Sequence, residues 1–471
     1  MPCRPLFAIC LASLCWLVGC AAQQASAPQP GPPGTGSATQ GQRTGYRPLP
    51  AGDLLVAGAT VLDGSGRRLE ATDVLVHDGR IAAVGQQLER RPGVEVIDAG
   101  GRWLTPGIID VHSHDGTYVL PLGTGELTFS DLSELSRPNA AQVRILDAID
   151  AQDSAFEHAL AGGVTTLQIV PGSRTLFAGR TAVLKNVPAV LARDMVFPGA
   201  PAGLKMACGE NPKDEFGGRD LAPTSRMGEL AEMRAAFEAA RRYRQAWRDY
   251  RGDPVAPGAP RKDAALETLA GVLDGDVRVH LHCYRADDIV AMLELADDYG
   301  FRIAAIHHAT EAYKIPGQLA AHGACAAVWA DWWGYKDEAG DAIRANAAMI
   351  DAQGVCTAMH SDSPVVGQRL NIEAAKAMGA GRRANLVVPP ERAIRWLTSN
   401  PAKILGLEQR VGQVAAGFDA DLVLWSGDPF SIYSHADQVF VDGARVYDRF
   451  DPSRQPIRDR AVGIPAQRGQ P

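Results

Sequence analysis

The sequence predicts an α/β chain in which a (β/α)8 TIM-type barrel carries a small β-sandwich domain formed from both chain ends. Three observations predict it. At 471 residues the chain is longer than a single compact core of about 100–200 residues. Its middle alternates short apolar runs with amphipathic helical stretches, the pattern of parallel strands joined by crossovers. Its flanks alternate apolar and polar residues around Asp-Gly turns, the pattern of antiparallel hairpins. With 46% hydrophobic and 21% charged residues, 49 Gly and 31 Pro, the chain is neither disordered nor a coiled coil. The formal charge is -7, from 47 Lys and Arg against 54 Asp and Glu. No basic run is present to neutralise phosphates, which argues against nucleic acid as a partner.

In chain order, residues 1–19 carry one charge, Arg4, ahead of an apolar run over 6–18 that is too short to span a bilayer, so they read as a signal peptide. The run ends in Leu17-Val18-Gly19-Cys20, which resembles the lipobox of bacterial lipoproteins, whose cysteine is acylated and becomes the mature N-terminus. That resemblance implies lipidation at Cys20 and anchoring at the periplasmic face of a bacterial membrane, the outer membrane preferred. Residues 20–50 are dense in Pro, Gly, Gln and Ser and cannot bury enough surface to fold, so a disordered tether is expected. Residues 51–106 hold the first sandwich strands, with a hairpin at Asp78-Gly79, and residues 407–450 hold the second set, with a hairpin at Asp442-Gly443. The barrel is expected over 107–406, with strands in IIDVHSH, VTTLQIV, TAVLKNV, LKMAC, VRVHLHC, FRIAAIHH, ACAAVWA and CTAMHSD. Residues 451–471 are expected to be a flexible tail. Of the eight Cys, four lie at or before Cys20. The others, Cys208, Cys283, Cys325 and Cys356, stand singly in apolar runs and read as buried free thiols, with one bridge left open by an oxidising compartment.

Seven of the 11 His lie at the ends of four apolar runs. In Asp110-Val111-His112-Ser113-His114 the two imidazoles project from one strand face and can hold one metal together. His280 and His282, His307 and His308, and His360 with Asp362 repeat the placement. Buried neutral imidazoles need hydrogen-bond partners, so ordinary core packing does not gather them at equivalent strand ends.

The segments LTPGIIDVHSH, HLHCYRADDI, AAIHHATEAYKI, MHSDSP, LTSNPAKILGLEQRVGQVAAGFDADLVLWSGDP and QVFVDGARVYD together resemble the amidohydrolase superfamily, particularly its imidazolonepropionase-like and Xaa-Pro dipeptidase-like members, over residues 53 to 448. The resemblance implies a metal-dependent barrel beside a small β-sandwich. It assigns His112 and His114 to the first-strand metal pair, His282 to the fifth strand, His308 to the sixth and Asp362 to the eighth. Asp362 is also implied to take a proton from the attacking water. Tyr284 stands where relatives often show a second His. His280, one alternation deeper, is expected to pack inside the barrel, and His307 to point away from the site. Lys205 is placed like the carbamylated lysine that bridges two metals in some relatives, and Glu210 like the acidic bridging ligand of others, with Glu210 preferred because it follows the run. Tyr284, Arg285 and His360 are candidate substrate contacts by position. Trp329, Trp332, Trp333 and Tyr335 either wall the pocket or form a packing cluster.

The implied cofactor is a divalent metal, zinc preferred, as one or two ions. A dication held by neutral imidazoles acidifies water to a pKa of roughly 7 and polarises a carbonyl, and Asp362 passes the water's proton to the leaving nitrogen. The expected activity is hydrolysis of a carbon–nitrogen amide bond, with a small dipeptide or acyl-amino acid preferred. A cyclic amide such as imidazolonepropionate comes next, and deaminase or N-deacetylase chemistry uses the same site. Scaffold relatives of this fold lose several ligands, whereas here the set is complete. The expected partners are that small molecule and, through the lipid anchor, the membrane; a homo-oligomer is compatible with the fold. Cys20→Ala is expected to abolish acyl-chain labelling and release the protein from membranes, because the Pro/Gly-rich tether offers no other anchor. Unchanged membrane fractionation of the variant contradicts lipidation.

Overall fold

The computed structural model describes residues 43–118 and 130–455. The signal segment, Cys20, residues 20–42 of the expected tether and the tail from residue 456 lie outside the described residues. Five strands come first: β1 (Leu54–Leu62), β2 (Arg68–His77), β3 (Arg80–Gly85), β4 (Glu95–Asp98) and β5 (Trp103–Pro106). The middle holds β6 (Ile108–Ser113), β7 (Val164–Ile169), β8 (Phe177–Arg180), β9 (Ala182–Lys185), β10 (Ala202–Ala207), β11 (Val277–Cys283), β12 (Ile303–His308), β13 (Cys325–Val328) and β14 (Thr357–Met359). The last three are β15 (Leu422–Trp425), β16 (Ala436–Val441) and β17 (Ala444–Asp448).

Both Asp-Gly pairs close hairpins. Asp78 and Gly79 have φ of +49° and +72°, and Asp442 and Gly443 have +46° and +74°, the left-handed pair that a two-residue hairpin of matching twist requires. The two chain ends meet in one eight-stranded mixed sheet, ordered β17-β16-β15-β5-β1-β2-β3 with β4 on β1. The junction is the antiparallel pair β5–β15, from Trp103 opposite Trp425 to Pro106 opposite Leu422. Where a sandwich was expected, hydrogen bonding gives this single sheet, with Val56, Val74, Val76, Leu104, Leu422 and Phe440 in its apolar core.

The middle of the chain forms two further sheets, ordered β14-β13-β12-β11-β10-β8 and β6-β7-β9. Strands β10 to β14 run parallel in sequence order, as the alternating pattern predicts. Their crossovers pack helices of ordinary amphipathic design. In Arg226–Asp249, Met233, Phe237, Ala240 and Trp247 line the buried face, and the Ser225 side chain caps the first turn. The third expected strand departs from the pattern: β8 is antiparallel to β10, and β9 is antiparallel to β7. Residues 170–181, which include β8, join β7 to β9 and return the chain antiparallel to β7. The ladders of the described residues do not close into one continuous barrel. The edges meet where the Asp362 N–H donates to His112 O at 2.9 Å, bringing the last strand end beside the first.

The structure also corrects two expectations about stabilising contacts. Cys208–Cys283 and Cys325–Cys356 form disulfides, with Cα atoms 5.4 and 4.5 Å apart, instead of remaining free thiols. Each pair spans neighbouring parallel strands, whose registers Ala207↔His282 and Ala326↔Thr357 set the cysteines side by side. The end of the expected tether is docked: Thr44 Oγ1 donates to Val196 O at 2.7 Å, and Tyr46 is buried with its hydroxyl donating to Asp442. There it joins a closed charge network between the mixed sheet and β9. Lys185 Nζ lies 3.3 Å from Asp419, 3.2 Å from Asp421 and in contact with Asp442, all buried. Burial works against the ammonium, but the three carboxylates hold its pKa above the ordinary lysine value. Lys185→Met is expected to leave Asp421 and Asp442 without their counter-charge, while Asp419 keeps Arg410 at 2.7 Å, and to cost about 3–5 kcal/mol, read as a lower denaturation midpoint. An unchanged midpoint contradicts this role.

Candidate metal centre

Strand β6 delivers the first imidazoles. Asp110 Oδ1 accepts the His112 N–H at 3.1 Å and the Ser361 N–H at 3.2 Å, tying the ends of β6 and β14 together. Burial pushes the Asp110 carboxyl up to about 7. His114 Nδ1 lies 2.8 Å from Val170 O, an atom that only accepts, so Nδ1 carries a hydrogen and, in the neutral ring, Nε2 the lone pair. That lone pair faces Asp362 Oδ1 at 2.9 Å, and His112 Nε2 lies 3.1 Å from the same oxygen. Two acceptors at that distance repel unless a proton or a cation is shared between them.

Further donors converge on the same point. His112, His114 and Asp362 form one group of candidate ligand atoms within 4.8 Å of one another, and His112, His308 and His360 form a second. The His282 ring lies 4.6 Å from that of His308. His282 Nδ1, His308 Nδ1 and both nitrogens of His360 are buried without a hydrogen-bond partner, each an expense of about 1–3 kcal/mol if nothing satisfies it. Burial keeps the rings uncharged. It pushes His280 and His360 down to about 3, and His112, His282, His307 and His308 well below the ordinary histidine value. Neutral, unpaired imidazole nitrogens beside a carboxylate fit a divalent cation.

Local backbone conformation makes this convergence possible. His307 was expected to point away, yet its Nδ1 lies 3.1 Å from His112 Nδ1, inside the cluster. The reason is the end of β12: His308 and Ala309 adopt φ of +72° and +41°, which breaks the strand alternation and turns two consecutive side chains inward. Asp362 is left-handed as well, at +54°. Such conformations cost non-glycine residues about 1–3 kcal/mol each and collect where function over-determines the backbone.

Residues 103–448 match the Amidohydrolase family. The chain belongs to the amidohydrolase family. It is 34% identical over 400 residues to the amidohydrolase tasK of Hapsidospora irregularis, covering 80% of this chain and 40% of that one. The chain thus spans about 40% of the length of that curated relative. A solved amidohydrolase structure from Thermotoga maritima MSB8 is 36% identical, with a TM-score of 0.76, covering 84% of this chain and 100% of the other. The N-acyl-D-glutamate deacylase of Alcaligenes xylosoxydans xylosoxydans is 22% identical over 496 residues, 86% of this chain and 96% of that one. The family match and the Thermotoga maritima structure give the chain a TIM-barrel-like α/β fold.

Within this amidohydrolase site, the remaining predicted residues divide. Lys205, on β10 opposite His280, is fully buried, and its Nζ donates to Pro171 O at 3.1 Å and Ser173 Oγ at 3.0 Å. Burial, opposed by Asp362, pushes its ammonium down to about 7. Glu210 is not brought to the imidazoles. After Gly209, at φ +87°, the chain enters helix Glu210–Gly217, where Glu210 lies 3.3 Å from Lys336 Nζ and accepts the Glu338 N–H at 3.2 Å. Arg285 also turns away: its side chain is 41% exposed and pairs with Asp287 at 2.7 Å. Tyr284 stacks over His308 at 5.3 Å, with its hydroxyl bonded to that of Tyr335. His360 sits inside the cluster, stacked on His112 at 5.0 Å. Trp329 stacks on His308 at 4.2 Å and on Trp332 at 4.6 Å, and Tyr335 closes on both, whereas Trp333 is 63% exposed.

Lys336 is the site residue that sequence reasoning missed. Its Nζ lies 4.1 Å from the Tyr284 ring centroid and 2.6 Å from Asn211 Oδ1. A cation directly after an aromatic run is the signal that was available. We expect the purified enzyme to carry divalent metal and the double variant His112→Ala/His114→Ala to lose it, as measured by elemental analysis. Stoichiometric metal in that variant contradicts the centre described here.

Proposed function

We propose that this amidohydrolase uses water to cleave the amide bond of a small N-acyl amino acid or dipeptide, with one or two divalent ions held by His112, His114, His282, His308 and Asp362. The observation that carries the reading is the 2.9 Å contact between His114 Nε2 and Asp362 Oδ1, two acceptors in need of a shared positive partner. Imidazole and carboxylate donors favour zinc. A divalent ion there supplies Lewis-acid activation of water and of the scissile carbonyl.

Asp362 moves the proton. Burial works against its charge, but the surrounding imidazoles, His114 first among them, hold its carboxyl below the usual carboxylate range, so it is ionised and can accept a proton. It takes a proton from water as the water oxygen bonds to the carbonyl carbon. The carbon–nitrogen bond then breaks, and the proton passes to the leaving nitrogen, giving an acid and an amine. If the centre holds two ions, Lys205, its amine having added carbon dioxide and lost a proton to give a carbamate, would supply the anionic group for them in preference to Glu210. A lysine amine at about 7 is partly unprotonated at neutral pH, as carbamylation requires, while Glu210 is engaged by Lys336 and Glu338.

Recognition follows from the groups around the cluster. Tyr284, Trp329, Trp332 and Tyr335 offer apolar ring faces, and the Lys336 ammonium offers a partner for a carboxylate. Similarity to an N-acyl-D-glutamate deacylase supports an acylated amino acid. The lipid anchor proposed at Cys20 sets this activity at the periplasmic membrane face, where peptides are scavenged. A screen of N-acyl amino acids, dipeptides and cyclic amides tests the substrate class, and turnover of cyclic amides alone contradicts it. Asp362→Asn is expected to lower turnover by about 10²–10⁴-fold while much of the metal stays bound. Near-normal activity in that variant contradicts the proton-transfer role.

A further inference from the structure

A line of buried polar side chains that the chemistry above does not use runs from β7 across the interior to His112. Gln168 Nε2 lies 3.0 Å from Thr181 Oγ1 and 2.9 Å from His280 Nε2. His280 Nδ1 lies 3.2 Å from His307 Nε2, and His307 Nδ1 lies 3.1 Å from His112 Nδ1. Gln168, His280, His307 and His112 are each at most 1% exposed. The oxygen of the amide, Gln168 Oε1, is buried with no partner.

A neutral imidazole has one N–H and one lone pair, so the direction of one hydrogen bond in this line dictates all the others. With the Gln168 amide donating through Nε2, His280 donates from Nδ1 to His307, and His307 donates from Nδ1 to His112. His112 is then left with its hydrogen on Nε2, directed at Asp362 Oδ1 3.1 Å away. In that sense His112 cannot ligate a cation through Nε2. Ligation demands the reverse: His112 Nδ1–H donates to His307, His307 Nε2–H to His280, and His280 Nε2–H to an oxygen of Gln168. Only a side chain that can offer either an N–H or an oxygen serves both senses, and a primary amide does so by turning over.

We propose that Gln168, His280 and His307 form a reversible hydrogen-bond line that sets which nitrogen of His112 carries its hydrogen, with the Gln168 amide turning over as His112 changes from donor to ligand. The line carries three ring hydrogens in both senses, so the reversal is a tautomer change without net protonation. These three are positioning residues that act through His112. The inference rests on the reading of His112 as a metal ligand, and the experiment separates the two.

Histidines labelled with ¹⁵N report the tautomer directly, with His280 assigned by difference from His280→Gln. Zinc addition to chelator-treated full-length protein is expected to move the His280 hydrogen from Nδ1 to Nε2. Zinc affinity, measured by competition with a chromophoric chelator, supplies the second readout. Gln168→Glu, which can only accept, is expected to bind zinc more tightly than wild type, and His307→Phe to lose about 10–100-fold. In the His307→Phe background the gain from Gln168→Glu is expected to vanish, because the line is cut. Zinc binding with no change in the His280 tautomer overturns the line but leaves the metal reading standing. Equal zinc binding by wild type and His112→Ala/His114→Ala overturns the metal reading itself. A gain from Gln168→Glu that survives His307→Phe also overturns the line, since charge alone then explains it.

Discussion

The need of buried acceptors for a positive partner organises this molecule. His114 gives its one hydrogen to the Val170 carbonyl and so presents a lone pair to the Asp362 carboxylate. The penalty for leaving such atoms unsatisfied is comparable to that of losing a well-formed hydrogen bond. The left-handed backbone at His308 and Asp362 is held against its own cost because it turns these donors inward. The proposed chemistry, polarising a carbonyl and moving one proton, rests on the same concentration of lone pairs.

Keeping those atoms in register requires the ends of distant segments to be fixed to one another. Asp110 accepts backbone hydrogens from both His112 and Ser361, linking the first and last parallel strands where the hydrogen-bond ladder does not. The Cys208–Cys283 bridge joins the ends of β10 and β11 beside His282. Further out, Lys185 and its three carboxylates clamp the mixed sheet to β9, and Tyr46 folds the N-terminal segment onto that network. The site is therefore framed by polar and covalent contacts as well as by apolar packing.

Much of the centre was legible because strand ends carry a local signature. The spacing of His112 and His114 and the apolar runs before His282, His308 and Asp362 placed all five in one region, and the structure brings them together. Residues whose direction depends on a local break were misread. His307 points inward because the alternation fails at His308, and Glu210 points to Lys336 because the chain turns at Gly209. Arg285, one residue beyond Tyr284, caps a helix and faces solvent. Lys336 was marked only by the aromatic run before it, and Gln168 gave no motif at all, since it matters through neighbours far away in the chain.

By itself the sequence determined the local patterns: two Asp-Gly hairpins at the flanks, parallel strands and helices in the middle, and histidines at strand ends. Period, turn geometry and helix capping act over a few residues, so they are written in contiguous sequence. The tertiary structure decided what lies beside what: the antiparallel return of β8 and β9, the two disulfides, the Lys185 network and the tautomers of the buried imidazoles. Those depend on ladder register and burial between segments as much as 396 residues apart, as for Tyr46 and Asp442, and no local pattern encodes that distance.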